Sequence, residues 1–104
     1  MKRIGNVILV ILAVCALYAQ DADHLFEEAT SQYSSSRFMD AHLTYKQAQE
    51  LYLGEGDMLK VADCFSMIGA CFIQMGREYK PLYEQAEQIY DSMGIPTSTL
   101  RLLS

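Results

Sequence analysis

The sequence contains few of the residues from which catalytic and metal sites are built. It has two histidines and three cysteines among 104 residues. His24 and His42 lie 18 positions apart on different predicted helices with no further ligand nearby, and we interpret both as surface residues. Residues 54–56, the only candidate for a glycine-rich phosphate loop, are interpreted as a turn between helices. No serine or cysteine accompanies a histidine in a recognisable catalytic motif. We therefore expect no enzymatic activity, no metal ion and no cofactor.

Strand patterns are also missing. No run of β-branched residues alternates with polar residues between hairpin turns. Apolar residues recur instead at steps of three and four, which is typical of amphipathic helices, so the sequence predicts an all-α fold. Asp21 and Asp57 are the predicted N-caps of the first and third helices. The four predicted helices span about Ala22–Ser34, Arg37–Leu53, Met58–Met75 and Pro81–Met93.

The N-terminal segment differs in composition from the rest of the chain. Lys2 and Arg3 precede an uninterrupted apolar run of 13 residues, Val7–Ala19. That length fits the core of a secretory signal, usually about 7–15 residues, and falls short of the roughly 20 residues of a membrane-spanning helix. We predict that residues 1–19 are a signal peptide cleaved after Ala19, so that the protein is exported. An uncleaved N-terminal anchor is the alternative, and Cys15 matches a lipoprotein cleavage signal only weakly.

Basic residues are scarce beyond that segment. Without residues 1–19 the chain keeps six of its eight basic residues against thirteen acidic ones, a net charge of −7. Such a surface repels phosphate backbones and anionic headgroups. Nucleic acid is therefore not expected as a partner, and membrane contact is expected only through an uncleaved N-terminal segment.

Two cysteines follow the N-terminal segment. Cys64 and Cys71 lie seven positions apart on one predicted helix, which separates their α-carbons by about 10 Å, whereas a disulfide needs roughly 4.4–6.8 Å. They cannot bridge each other. We interpret them as small buried residues, with a link to another chain as the alternative.

Two ten-residue segments of the sequence are similar. LTYKQAQELY at Leu43–Tyr52 and PLYEQAEQIY at Pro81–Tyr90 correspond at an offset of 38, and the helices that precede them correspond at an offset of 40. The repetition predicts two stacked antiparallel helix-turn-helix hairpins, residues 22–57 and 58–95, because each hairpin has an apolar face that it cannot cover alone. Segment 96–104 is predicted to be a short tail or cap, either the start of a further helix or a lid. The matched pairs are Tyr45/Tyr83, Gln47/Gln85, Ala48/Ala86 and Tyr52/Tyr90, and then Ala22/Ala62, Ala29/Gly69, Ser36/Gly76 and Arg37/Arg77.

This pattern resembles the tetratricopeptide repeat family over about Ala22–Gly94. Large, small and aromatic residues follow the family's spacing. The small residues are the most specific part of the resemblance, because they let helices approach closely. The second unit departs from the pattern at Pro81 and in its shortened internal loop. The residues that carry the resemblance are Phe65, Ile68, Gly69, Phe72, Gly76, Leu82, Tyr83 and Ala86, with Leu25, Ala29, Tyr33, Phe38, Ala41, Tyr45 and Ala48 in the first unit.

The resemblance implies a function in protein–protein interaction. Family members bind extended peptides or partner helices in a concave groove lined by the first helix of each hairpin. The residues clamping a terminal carboxylate in some members are absent, which argues against a chaperone C-terminus as ligand. Phe26, Tyr33 and Ile73 would form the groove floor, unless they complete the core instead. The groove candidates carried over are Asp23, Phe26, Thr30, Tyr33, Asp63, Ser66, Ala70, Ile73 and Gln74.

Two functions therefore compete. The first is an exported adaptor that holds a peptide or helix of another protein in its groove. The second is a structural component that self-associates or is tethered to a membrane, since solenoids usually have three or more repeats and a polar cap. The apolar residues expected at the open end of the second hairpin are Tyr83, Ile89, Tyr90 and Met93.

Overall fold

The computed structural model describes residues 21–96, and the chain forms four α-helices there and no strand. Helix α1 covers residues 21–34, α2 is Phe38–Glu55, α3 is Met58–Gln74 and α4 is Lys80–Ser92. The predicted all-α fold is confirmed. The predicted signal peptide or anchor and the tail from residue 97 onward lie outside the described residues.

Helices α1 and α2 form an antiparallel hairpin. Tyr52, near the end of α2, donates its hydroxyl hydrogen to the carboxylate of Asp23, near the start of α1. At the other end of the hairpin the rings of Tyr33 and Phe38 meet edge to face at 5.2 Å. The connecting turn passes through Ser36, whose φ is 62°.

Helix α3 packs against α2 on one side and against α4 on the other. The Gln49 side-chain amide donates to the Val61 carbonyl at 3.1 Å, and the His42 and Phe72 rings lie 4.9 Å apart at the other end of the α2–α3 contact. Because α3 is covered from two sides, its sequence leaves almost no polar face. The two hairpins are therefore stacked, as the repetition predicts.

The ends of the helices show how the turns are built. Asp57 caps α3 by accepting a hydrogen bond from the Lys60 amide at 3.2 Å, as predicted. The prediction for Asp21 is wrong, since this residue is already helical. Gly54 also lies within α2, and it is Gly56, with φ 76°, that turns the chain toward α3.

Small residues line the helix contacts, and tyrosines fill the space between them. Tyr45 and Tyr52 are the largest fully buried side chains of residues 21–96. Tyr83 was expected at the open end of the stack, but it is 7% exposed. Its ring lies against Gly69, where a Cβ atom would approach Cε1 of the ring to 2.5 Å. The alanines with no exposed surface are Ala22, Ala29, Ala41, Ala48, Ala62 and Ala86.

Candidate functional site

The four groove candidates of α1 all contact α2. Asp23 accepts the hydrogen bond from Tyr52, and the Thr30 and Tyr45 hydroxyls lie 2.8 Å apart. Thr30 also donates to the Phe26 carbonyl at 2.9 Å, so the hydrogen between the two hydroxyls comes from the tyrosine. The Phe26 ring packs edge to face on Tyr45 at 5.2 Å. Tyr33 lies against Phe38, at the far end of the hairpin. These four side chains therefore form part of the contact between α1 and α2.

The candidates of α3 divide into two groups. Asp63 accepts a hydrogen bond from the Tyr90 hydroxyl, and the Ser66 hydroxyl lies 3.4 Å from the same oxygen of Tyr90. Ala70 is half-buried, while Ile73 and Gln74 are exposed near the end of the helix. Asp63 and Ser66 thus contact α4, whereas Ile73 and Gln74 face solvent.

The same hydrogen bond joins the two helices of each hairpin. Asp23 and Asp63 are 40 positions apart and Tyr52 and Tyr90 are 38 apart, so the donor and the acceptor both obey the repeat offsets. Burial, followed by the hydrogen bond to the carboxylate, raises the pKa of Tyr52 and raises the pKa of Tyr90 to about 12. Both phenols therefore stay protonated and act as donors at neutral pH. The sequence analysis placed the two aspartates at the edge of the groove and did not predict this hydrogen bond. The signal that could have indicated it is that both the aspartates and the tyrosines recur at the repeat offsets.

A concave pocket of about 440 Å³ opens between α1, α3 and the end of α4. Its lining is mainly apolar, and none of the described lining residues comes from α2. Three groove candidates, Phe26, Asp63 and Ser66, line it. The candidates that do not line it are Asp23, Thr30, Tyr33, Ala70, Ile73 and Gln74. The lining residues outside the nine groove candidates are Leu59, Met67, Tyr90, Ile95 and Pro96.

Charged groups surround this pocket on two sides. The Lys60 ammonium lies 4.7 Å from the centroid of the Phe26 ring, an attractive cation–π geometry. A second depression, lined by Asp21, Asp23, His24 and Glu27, opens on α1. Helix α1 therefore contributes both the acidic depression and Phe26, the aromatic residue of the apolar pocket over which Lys60 lies.

His42 does not occupy the solvated position that was predicted for it. Its ring is half-buried against Phe72, and its Nδ1 atom is buried without a hydrogen-bond partner. Burial, then the charges of Lys46 and Arg77, lowers its pKa. Within residues 21–96 no three histidine, cysteine or acidic side chains are arranged to hold a metal ion.

Cys64 and Cys71 are free thiols and have no exposed surface, so their predicted burial is confirmed. Burial raises the pKa of Cys64 to about 12 and that of Cys71 to about 11. Both are therefore protonated at neutral pH and poorly reactive. The alternative of a link to another chain would require a thiol that reaches the surface.

Along residues 21–96, no helix combines the length and the apolar composition needed to cross a bilayer. Comparisons of the chain with protein-family models, with curated proteins and with solved structures each found no match.

Proposed function

We propose that the protein is an interaction module of the tetratricopeptide type, which binds a helix or an extended peptide of another protein in the pocket between α1 and α3. The observation that carries the proposal is the mainly apolar, concave lining of this pocket, on the side of the stack where the groove is expected. Apolar concave surfaces with few convergent polar groups are the usual binding sites of folded domains.

The surroundings of the pocket define the chemistry of the partner. Its apolar wall suits aliphatic or aromatic side chains, which lose water when they contact Leu59, Met67 and Pro96. The acidic depression on α1 suits a basic residue next to that apolar anchor. The partner is therefore proposed to present an apolar side chain flanked by lysine or arginine.

The cellular setting is proposed from the N-terminal sequence. A signal-like segment followed by an acidic domain supports an adaptor or scaffold that acts after export. Membrane contact is limited, in this proposal, to an N-terminal segment that stays uncleaved.

A second candidate function, self-association, has one observation in its favour. Met39 and Leu43 lie four positions apart on α2 and are 42% and 50% exposed, so they form an apolar pair on one face of this helix. A second copy of the chain could cover that pair. This face is separate from the pocket, which makes the two functions distinguishable.

Site-specific cross-linking tests both functions. A photoreactive phenylalanine analogue is placed at Leu59 in the pocket or, as a matched control, at Leu43 on α2. Cross-links from position 59 to one distinct protein, and none from position 43, support the adaptor. Cross-links only from position 43 to a second copy support self-association, and labelling of the same proteins from both positions contradicts the pocket.

A further inference from the structure

The two hairpins share an aspartate–tyrosine hydrogen bond but differ in what surrounds it. Asp23 is exposed, and three positions after it comes Phe26, whose ring packs edge to face on the bonded tyrosine at 6.5 Å. Asp63 is half-buried, and three positions after it comes Ser66, whose hydroxyl lies 3.4 Å from that of the bonded tyrosine. The bond recurs and therefore belongs to the fold, whereas the hydroxyl beside it distinguishes the second hairpin.

The three polar side chains of this cluster have no hydrogen left to donate. Tyr90 donates its one hydroxyl hydrogen to the Oδ1 atom of Asp63. Ser66 also has one hydroxyl hydrogen, which is used whether it is directed at the Ala62 carbonyl, 3.2 Å away, or at the Tyr90 oxygen. An ionised carboxylate has none to donate. The cluster therefore consists of hydrogen-bond acceptors, and a molecule that binds it must supply the donors.

The charge of this cluster has no cation beside it. No basic side chain of residues 21–96 forms a salt bridge with Asp63. Lys60 precedes it by three positions on α3, but the lysine ammonium lies over the Phe26 ring instead. Asp63 is the one charged residue among the described residues that line the apolar pocket, and Ser66 and Tyr90 line it as well. The acceptors therefore lie on the wall of a concave apolar surface, which suits a cation with an apolar stem.

We propose that this pocket binds a lysine side chain of the partner protein, with its methylene stem on the apolar lining and its ammonium on Asp63, Ser66 and Tyr90. The lysine ammonium is a compact cation with three donor hydrogens. Arginine binds a carboxylate best through both oxygens, and Tyr90 already occupies one oxygen of Asp63. That the lysine belongs to a partner protein rests on the proposed function, whereas the affinity of the pocket for an alkylammonium group does not.

Two small probes measure this affinity. Hexylammonium and n-hexanol share an apolar chain and differ in the charge of the head group. Each is titrated into isotope-labelled protein at constant ionic strength, and the Kd is obtained from the amide NMR signals of Ser66 and Met67. Hexylammonium should bind about fivefold more tightly than n-hexanol, because hydrogen bonds that involve a charged group are the stronger ones. Hexylguanidinium should bind more weakly than hexylammonium.

Asp63→Asn and Asp23→Asn are a matched pair of variants. Both aspartates accept a tyrosine hydroxyl, and the carbonyl of asparagine can keep that bond. Asp63→Asn should raise the Kd of hexylammonium about fivefold and leave that of n-hexanol unchanged. Asp23→Asn removes the same charge outside the apolar pocket and should change neither Kd by more than about twofold. Ser66→Ala keeps the charge and should weaken hexylammonium binding by a smaller factor, which gives a second test if Asp63→Asn does not fold.

The outcomes separate this inference from the proposed function. Equal Kd values of hexylammonium and n-hexanol in the original chain, or equal effects of Asp63→Asn and Asp23→Asn, would overturn the lysine site. Tighter binding of hexylguanidinium would overturn it as well. In each of these cases a probe still binds, so an apolar pocket and the proposed function remain. If no probe shifts the signals of Ser66 and Met67, the pocket does not accept an apolar chain, and the proposed function is contradicted too.

Discussion

Replacing Gly69 with alanine should destabilise the protein, although alanine is normally the better helix former. The added Cβ would lie 2.5 Å from Cε1 and 2.7 Å from Cδ1 of the Tyr83 ring. These atoms belong to the body of a buried ring, so the ring or the helix must move.

The expected magnitude follows from two opposing effects. Overpacking a well-filled core typically destabilises a protein by about 1–3 kcal/mol. Replacing glycine by alanine within a helix stabilises it by roughly 0.5–1 kcal/mol. We therefore expect Gly69→Ala to lower the free energy of unfolding by up to about 2.5 kcal/mol. The assay is urea unfolding followed by far-UV circular dichroism.

Gly54→Ala is the matched control. Gly54 also lies in a helix, and nothing lies within 4 Å of the position of its added Cβ. This variant should be as stable as the original chain or up to about 1 kcal/mol more stable. In a Tyr83→Leu background the penalty of Gly69→Ala should shrink, because the ring that it meets is gone. Equal stabilities for Gly69→Ala and Gly54→Ala in the original chain would refute the close packing of α3 on α4.

Three further predictions concern the hydrogen bonds, the histidine and the thiols. Tyr52→Phe and Tyr90→Phe should each lower the free energy of unfolding by about 1 kcal/mol, because each removes a hydrogen bond to a carboxylate; unchanged urea midpoints would show that these bonds do not hold the hairpins. His42 has a lowered pKa in the folded protein, so the unfolded chain binds more protons and stability should fall from about pH 7.5 to about pH 5.5. His42→Gln should flatten that dependence, and an equal slope in both proteins would contradict it. Cys64 and Cys71 should resist a thiol reagent in the native protein and react fully in urea, whereas rapid native labelling would mean that α3 is open.

The repeat made the fold predictable from the sequence. Hydrophobic spacing placed the end of α1 and both ends of α2, α3 and α4 to within about two residues. The turn at Gly56 and the cap at Asp57 followed from local chemistry. The prediction for Asp21 was wrong because aspartate also occurs inside helices, where the sequence alone does not distinguish it from a capping residue.

The candidate site was less predictable. Apolar residues at helical spacing show which face of a helix is buried. They do not show which side chains of the neighbouring helices contact that face. Asp23 and Thr30 therefore appeared free in the sequence, whereas tyrosine hydroxyls of α2 bind both. Tyr33 lies at Phe38, away from the pocket, while Met67 and Pro96 line it. These contacts depend on how α1, α3 and the turn after α4 converge, which no local pattern encodes.

The most direct test of the proposed function is the affinity of the partner identified by cross-linking for three proteins. These are the original chain, Leu59→Gln in the pocket and Leu43→Gln on α2, whose leucines are 40% and 50% exposed. Covering the remaining surface of one leucine contributes on the order of 1 kcal/mol, so Leu59→Gln should raise the Kd about fivefold or more. Leu43→Gln should leave the Kd unchanged. An unchanged Kd for Leu59→Gln, or a larger loss for Leu43→Gln, would contradict binding in the pocket between α1 and α3.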